Sequence, residues 1–189
     1  MSLPSLLIKS KGKIKLSPTA PTLTLSKKIL DIPHLGNFNL DPQEHYKWCW
    51  AAVAVGVCRG YNSACAETQC SLAGKELGQN CCSDYNTLCS KQWSLKNALF
   101  AVGHLAGRSG PISFDRIEPE IAIGRPVACR VLIYGSTGHF VLITGAKKIG
   151  STDWLHIEDP KFGDWCKTYQ DFAGGYILNS PWTHSYYTK

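Results

Sequence analysis

Gln43-Glu44-His45-Tyr46-Lys47-Trp48-Cys49-Trp50, continuing as Ala51-Ala52, puts a cysteine between two tryptophans, six residues after a glutamine, where an apolar stretch begins. Residues 49–60 read as a helix that ends at Gly60, so Cys49 stands at a helix N-terminus. Such a terminus carries roughly half a positive charge and unpaired N–H groups, both of which favour a thiolate over a thiol. A neighbouring imidazolium adds to this, and reactive cysteines in such settings ionise well below the reference of about 8.5. Taken alone, Trp-Cys-Trp-Ala-Ala is an apolar helix start around a buried, inert thiol. What lifts it out of that reading lies downstream.

Gly138-His139-Phe140-Val141-Leu142-Ile143 is followed by Ile157-Glu158-Asp159-Pro160. Thiol, imidazole and carboxylate in that order are the groups cysteine acyl-transfer chemistry needs. The thiolate attacks a carbonyl, the imidazole moves protons, and the carboxylate holds the imidazole in its working tautomer. Six histidines compete for the middle role. His34 and His45 precede the cysteine, His104 falls in an expected helix, and His156 and His184 lie within expected strands. His139 alone follows a glycine-rich turn, Gly135-Ser136-Thr137-Gly138, and opens an apolar strand, where the glycines would let a substrate backbone approach. Asp159 ends the expected strand Trp154–Glu158, and an antiparallel hairpin would bring it to the same end of the sheet as His139. Its neighbour Glu158 points to the opposite face by strand alternation. Asp-Pro is also an ordinary turn opener, so Asp159 is the least distinctive of the three.

These residues resemble the papain-like cysteine peptidases, and most closely the compact bacterial group that includes the AvrRpt2-like effector proteases. The resemblance spans about residues 32–188. It implies an α+β fold, with a helical half carrying the nucleophile, an antiparallel sheet half carrying the base, and a substrate cleft between them. It also implies Cys49 as nucleophile, His139 as general base then acid, Asp159 as the orienting group, and Gln43 as a side-chain donor to the oxyanion hole. Substrates would be proteins or peptides, with no metal and no organic cofactor. Two departures mark a trimmed relative. His139 follows Cys49 by only 90 residues, against about 130–150 in papain and cathepsins, and aspartate stands where papain has asparagine. An acyltransferase or deamidase of transglutaminase type would use the same three groups with a different acceptor; the glutamine upstream of Cys49 favours the peptidase. A non-catalytic binding module would have no use for an intact triad.

Beyond the 49–60 helix, the pattern predicts helices over 66–77, 94–102 with Ser94 as cap, and 114–123 closed by Gly124-Arg125-Pro126. After that the period changes. Strands are expected over 127–134, 140–148, 154–159 and 182–188, with a turn of helix around 169–172.

Composition is that of an ordinary globular protein, with 44% hydrophobic and 18% charged residues. No run of about 18 apolar residues occurs, so no membrane span is expected. The net charge of +6 is confined to residues 1–30, which hold six lysines and no acid, while the remainder carries 14 basic and 14 acidic residues. Residues 1–31 read as a basic propeptide-like or targeting extension ahead of a catalytic body, 32–189, whose first element would be Ile32–Leu40. Nucleic-acid binding is not expected, because no aromatics are interleaved with those lysines.

Besides Cys49 there are eight cysteines, five of them in Cys65-x4-Cys70-x10-Cys81-Cys82-x6-Cys89. The spacing lacks the opposed pairs and histidines of a zinc site. Disulfides among Cys58, Cys65, Cys70, Cys81, Cys82 and Cys89 fit better, with adjacent Cys81 and Cys82 reaching different partners. Cys129, on an expected core strand, reads as a lone buried thiol. Disulfides imply an oxidising, extracellular destination. The N-terminal residues lack the order of a secretory signal, so export without a classical signal peptide, as for a secreted bacterial effector or toxin, is the corresponding expectation.

Overall fold

The computed structural model describes residues 32–83, 87–134, 137–177 and 180–189. The basic extension 1–31 and part of the Gly135–Gly138 turn lie outside the described residues.

Helix α1 (Cys49–Tyr61) is the central element, buried along Cys49–Val57. Helix α2 (Gln69–Leu77) starts later than its pattern suggests, because Thr68 caps it by accepting from Ser71 N–H. Helix α3 (Leu95–Ala101) is capped by Ser94, as the sequence implies. Next come strand β1 (Leu105–Ser109) and helix α4 (Phe114–Ala122). Strands β2 (Val127–Ile133), β3 (Thr137–Ile149), β4 (Thr152–Glu158) and β5 (Trp165–Thr168) follow, then helix α5 (Tyr169–Gly175) and strand β6 (Trp182–Thr188). The six strands form one antiparallel sheet in the order β1-β6-β2-β3-β4-β5.

Three expectations are corrected. The sheet has six strands among the described residues, since the edges β1 and β5 carry too little pattern of their own to announce themselves. His139 is the third residue of β3 and not its first. Residues 32–40 form neither helix nor strand. That segment is instead pinned as irregular chain, with Leu35 N–H donating to Thr144 O at 2.9 Å and Phe38 N–H to Leu35 O at 2.9 Å. It lies on α1 at Gly60, where a β-carbon would come within 2.1 Å of the Phe38 ring.

Two cores flank the sheet. On one face Ala128, Phe140, Leu142 and Tyr186 pack with α1, Leu72 of α2 and Leu99 of α3. On the other, Cys129, Val131, Val141, Ile143 and Ile157 pack with Phe114 and Ile117 of α4 and Phe172 of α5. Consecutive residues of β2 and β3 feed opposite cores, as strand alternation requires. Burying a side chain of this size contributes about 1.5–3 kcal/mol, so register is strongly specified.

All six expected cysteines pair: Cys58 with Cys65, Cys70 with Cys82, and Cys81 with Cys89. Closing loops this short typically contributes about 2–3 kcal/mol each. Cys49, Cys129 and Cys166 are free.

Candidate active site

No side chain caps the N-terminus of α1; Trp48, at the cap position, offers only its carbonyl, to Ala52 N–H at 2.9 Å. An apolar residue is unusual there, since serine, threonine or aspartate would ordinarily consume the free N–H groups. The two tryptophans around Cys49 have another task. Trp48 Nε1 donates to Cys89 O at 2.7 Å and Trp50 Nε1 to Lys91 O at 3.1 Å. They fasten the helix start to the chain that the Cys81–Cys89 disulfide also holds. That chain continues into Gln92 and Trp93, which form one wall of a cleft beside Cys49. Cys49 is 7% exposed at its floor.

His139 and Asp159 meet as the hairpin geometry requires. Strands β3 and β4 pair with Leu142 opposite Glu158, so the residue after β4 falls level with Val141, two residues from His139 on the same face of β3. The His139 imidazole and Asp159 carboxylate lie 2.8 Å apart through Nε2 and Oδ1, and both are buried. With Nε2 engaged, Nδ1 is left for the thiol, and Cys49 is near enough to help raise the His139 pKa. The Phe162 ring closes edge-on over the imidazole, centroids 5.8 Å apart.

The electrostatics are those of a buried ion pair. Burial pulls the His139 pKa down, but the hydrogen bonds and charges of Asp159 and Cys49 outweigh it and raise the value to about 9. Burial alone would raise the Asp159 pKa. It ends below the usual carboxylate value because His139, Tyr176 and the Lys161 N–H all favour the ionised form. Asp159 Oδ1 also accepts from Lys161 N–H at 2.8 Å and Phe162 N–H at 3.1 Å, and Oδ2 from Tyr176 OH at 2.7 Å. Burial and the Asp159 charge push the Tyr176 phenol far above its ordinary value, so it remains a donor.

Gln43 sits in the turn ahead of α1, and its amide does not line the cleft. Nε2 donates to the carbonyls of His45 and Tyr46, each at 2.8 Å, while buried Oε1 has no partner among the described residues. The turn itself is clamped. Gln69 Nε2 donates to Pro42 O and Gln69 Oε1 accepts from Glu44 N–H, both at 2.9 Å. Gln43 N–H donates to Pro160 O at 2.8 Å, tying the turn ahead of α1 to the loop after Asp159.

Tyr176, Gln92 and Arg130 are not singled out by the sequence. No local motif marks them; each reaches the site from an element distant in the chain. Glu158 faces away from His139. It accepts from Leu40 N–H at 3.4 Å and lies with His156 and Asp164 in the one described group whose ligand atoms, within 4.8 Å of one another, could hold a metal ion. Burial and the neighbouring Asp164 carboxylate push Glu158 up to about 7.

Neither a family model nor a curated protein matches this sequence. Solved structures do. The peptidase domain of Streptococcus ComA, a bi-functional ABC transporter involved in a quorum-sensing pathway, superposes with a TM-score of 0.53 at 14% identity, covering 80% of this chain and 97% of that one. A protein described as a C39-like peptidase from Bacillus anthracis gives 0.54 at 13%, covering 82% and 97%. At such identities the likeness is one of fold. The chain has the α+β, papain-like architecture of C39-type peptidase domains.

Proposed function

We propose that this protein is a cysteine peptidase that hydrolyses peptide bonds through an acyl-enzyme on Cys49. The observation that carries the reading is the buried His139–Asp159 pair, with Cys49 acting on the same imidazole from an uncapped helix N-terminus that lines a cleft. Cys49 Sγ attacks the substrate carbonyl, and the carbonyl electron pair moves to oxygen. That oxyanion takes hydrogen bonds from the Cys49 N–H and from the Gln43 amide. For Gln43 this means exchanging the exposed Tyr46 carbonyl for a charged acceptor, and charge-assisted bonds are roughly twice as strong as neutral ones. His139 gives its Nδ1 proton to the leaving amine as the C–N bond breaks. It then takes a proton from the water that attacks the thioester, and Cys49 leaves as thiolate. Asp159 holds the ring and its charge throughout.

The three disulfides support an oxidising, exported destination, and no helix among the described residues is long and apolar enough to cross a membrane. A secreted effector role of the AvrRpt2 kind rests on the sequence resemblance and on these bridges. The test of the peptidase reading is a peptide-library digest read by mass spectrometry, comparing wild type with Cys49→Ala. Bonds cut only by wild type are expected. Amine adducts in place of hydrolysis products would transfer the reading to an acyltransferase.

A further inference from the structure

The cleft beside Cys49, of about 290 Å³, is lined by two cations and, among the described residues, by no carboxylate. One is Lys47, just before the helix that carries Cys49, and the other is Arg130 of β2. This is a local feature, because residues 31–189 carry equal numbers of basic and acidic side chains. Arg130 shares the cleft-facing side of β2 with Ala128, and it pairs across the sheet with Phe140. Its guanidinium is held in place: Nη1 donates to Thr183 Oγ1 at 3.1 Å, and that hydroxyl donates back to Arg130 O at 3.0 Å.

Gly138, immediately before His139, is what admits the guanidinium. A β-carbon there would lie 2.7 Å from Arg130 Nη2 and 3.0 Å from Cζ. The glycine ahead of the candidate base therefore serves the arginine as well as any substrate backbone. Among the described residues Arg130 has no carboxylate partner; its side-chain bond goes to a neutral hydroxyl. The field it makes with Arg108 is felt at His184, whose pKa is lowered by burial and then by these two cations. An arginine oriented this way, partly buried and lacking an anion, presents the planar fork that binds a carboxylate in two-point fashion.

We propose that Arg130, with Lys47 lining the same cleft, reads a carboxylate on the substrate next to the scissile bond, so that the preferred peptides are acidic at that subsite. The inference rests on the peptidase reading and adds a substrate class to it. The carboxylate can come from an Asp or Glu side chain or from the free C-terminus of the substrate. Trp93 and Phe140, which also line the cleft, would cover the apolar part of the same residue.

The experiment digests short acetyl-capped peptides made in matched pairs, Glu against Gln and Asp against Asn at each position in turn, and each as free acid and as C-terminal amide. Wild type, Cys49→Ala, Arg130→Gln, Arg130→Lys and Lys47→Gln are compared. In wild type the acidic member of one pair is expected to be cut about 10-fold faster or more, the range for a hydrogen bond to a charged group. Arg130→Gln should bring that ratio close to one, while Arg130→Lys and Lys47→Gln should lower it by about 3-fold, as expected for losing a fork or a point charge. The ratio is internal to each variant, so poorer folding lowers both rates and leaves the ratio intact. Preference confined to the side-chain pairs identifies an internal acidic residue, and preference abolished by C-terminal amidation identifies a chain end; either supports the proposal. Cys49-dependent cleavage with no acidic preference, or a preference that survives Arg130→Gln, overturns it while leaving the peptidase intact. Absence of any Cys49-dependent cleavage overturns both.

Discussion

Tyr176 donates its phenolic proton to Oδ2 of Asp159 at 2.7 Å, on the carboxylate oxygen that His139 does not use. A residue from beyond α5 thus fixes the rotation of a carboxylate at the end of β4, which in turn fixes the imidazole on β3. Tyr176→Phe removes the proton without emptying the space. We expect kcat/KM to fall about 10-fold or more, in line with one hydrogen bond to a charged group. The acidic limb of the pH–rate profile should also move to higher pH, because Asp159 loses a group that lowers its pKa. An unchanged limb would make Tyr176 a packing residue only.

Substitution of the orienting and proton-moving groups should grade in severity. Asp159→Asn keeps an acceptor for the ring N–H and is expected to cost about 10-fold in kcat, and Asp159→Ala about 10²-fold. His139→Ala should cost about 10⁴-fold or more, since the proton has no other carrier. Wild-type turnover by Asp159→Ala would move the third role to another residue.

The pH dependence follows from the direction of the shifts. His139 is raised from 6.5 to about 9 on folding, so its contribution to stability is fully present below 6.5 and is lost as pH rises through about 9. Asp159 is lowered from 3.8, so its contribution is present above that value and is lost as pH falls through its folded pKa. In the proposed mechanism His139 gives a proton to the leaving amine, so turnover is expected to decline above about pH 9. Asp159→Asn should bring that decline to lower pH. Glu158 acts in the opposite sense. Raised from 4.5 to about 7, it costs stability as pH climbs through that interval, so Glu158→Gln should stabilise the fold at pH 8, by about 1–3 kcal/mol. Thermal melts across the pH range check the signs.

Alkylation should single out one thiol. Burial pushes Cys129 well up, and burial with the Asp164 charge pushes Cys166 up, whereas Cys49 adjoins the His139 imidazolium. Iodoacetamide near pH 6 is expected to label Cys49 first, read by peptide mapping. Denatured but unreduced protein should yield three thiols, Cys49, Cys129 and Cys166, with the other six cysteines released only by reductant. First labelling at Cys129 or Cys166 would dislodge the nucleophile assignment.

Gln43→Ala is expected to lower kcat by about 10²–10³-fold with little change in KM, the signature of a lost oxyanion donor. Gln92→Ala, which alters a cleft wall, should act mainly on KM. The reverse pattern would give the donor role to Gln92 and leave Gln43 as a brace for the turn at His45 and Tyr46.

Some elements were legible because one local pattern sufficed. Helix α1, the Ser94 cap of α3 and strands β2, β3, β4 and β6 all announce themselves in period or end signals. Strand alternation also separated Asp159 from Glu158 before any coordinates, and the structure brings Asp159 to His139 while turning Glu158 away. The edge strands β1 and β5 were not legible. Leu105-Ala-Gly-Arg-Ser and Trp165-Cys-Lys-Thr become strands because β6 and β4 offer them unpaired backbone, which is a property of the neighbour. Residues 32–40, expected as an element, were misread for the same reason: their apolar residues pack on α1 and the sheet without any repeating pattern of their own.

The chain by itself determined which chemical groups are present and their order, Gln43, Cys49, His139 and Asp159, because each sits in a local context that a few neighbouring residues define. It also pointed to Cys58 and the five cysteines of 65–89 as the disulfide set. Only the tertiary structure decided which cysteine meets which, that Tyr176 and two backbone N–H groups hold Asp159, that the Gln43 amide rests on its own turn, and that Arg130 fills the space above Gly138. Those relationships are made by disulfides, hydrogen bonds and van der Waals contacts, whose energies depend on distances of a few ångströms. Sequence spacing carries no record of such distances until the two cores have closed on the sheet.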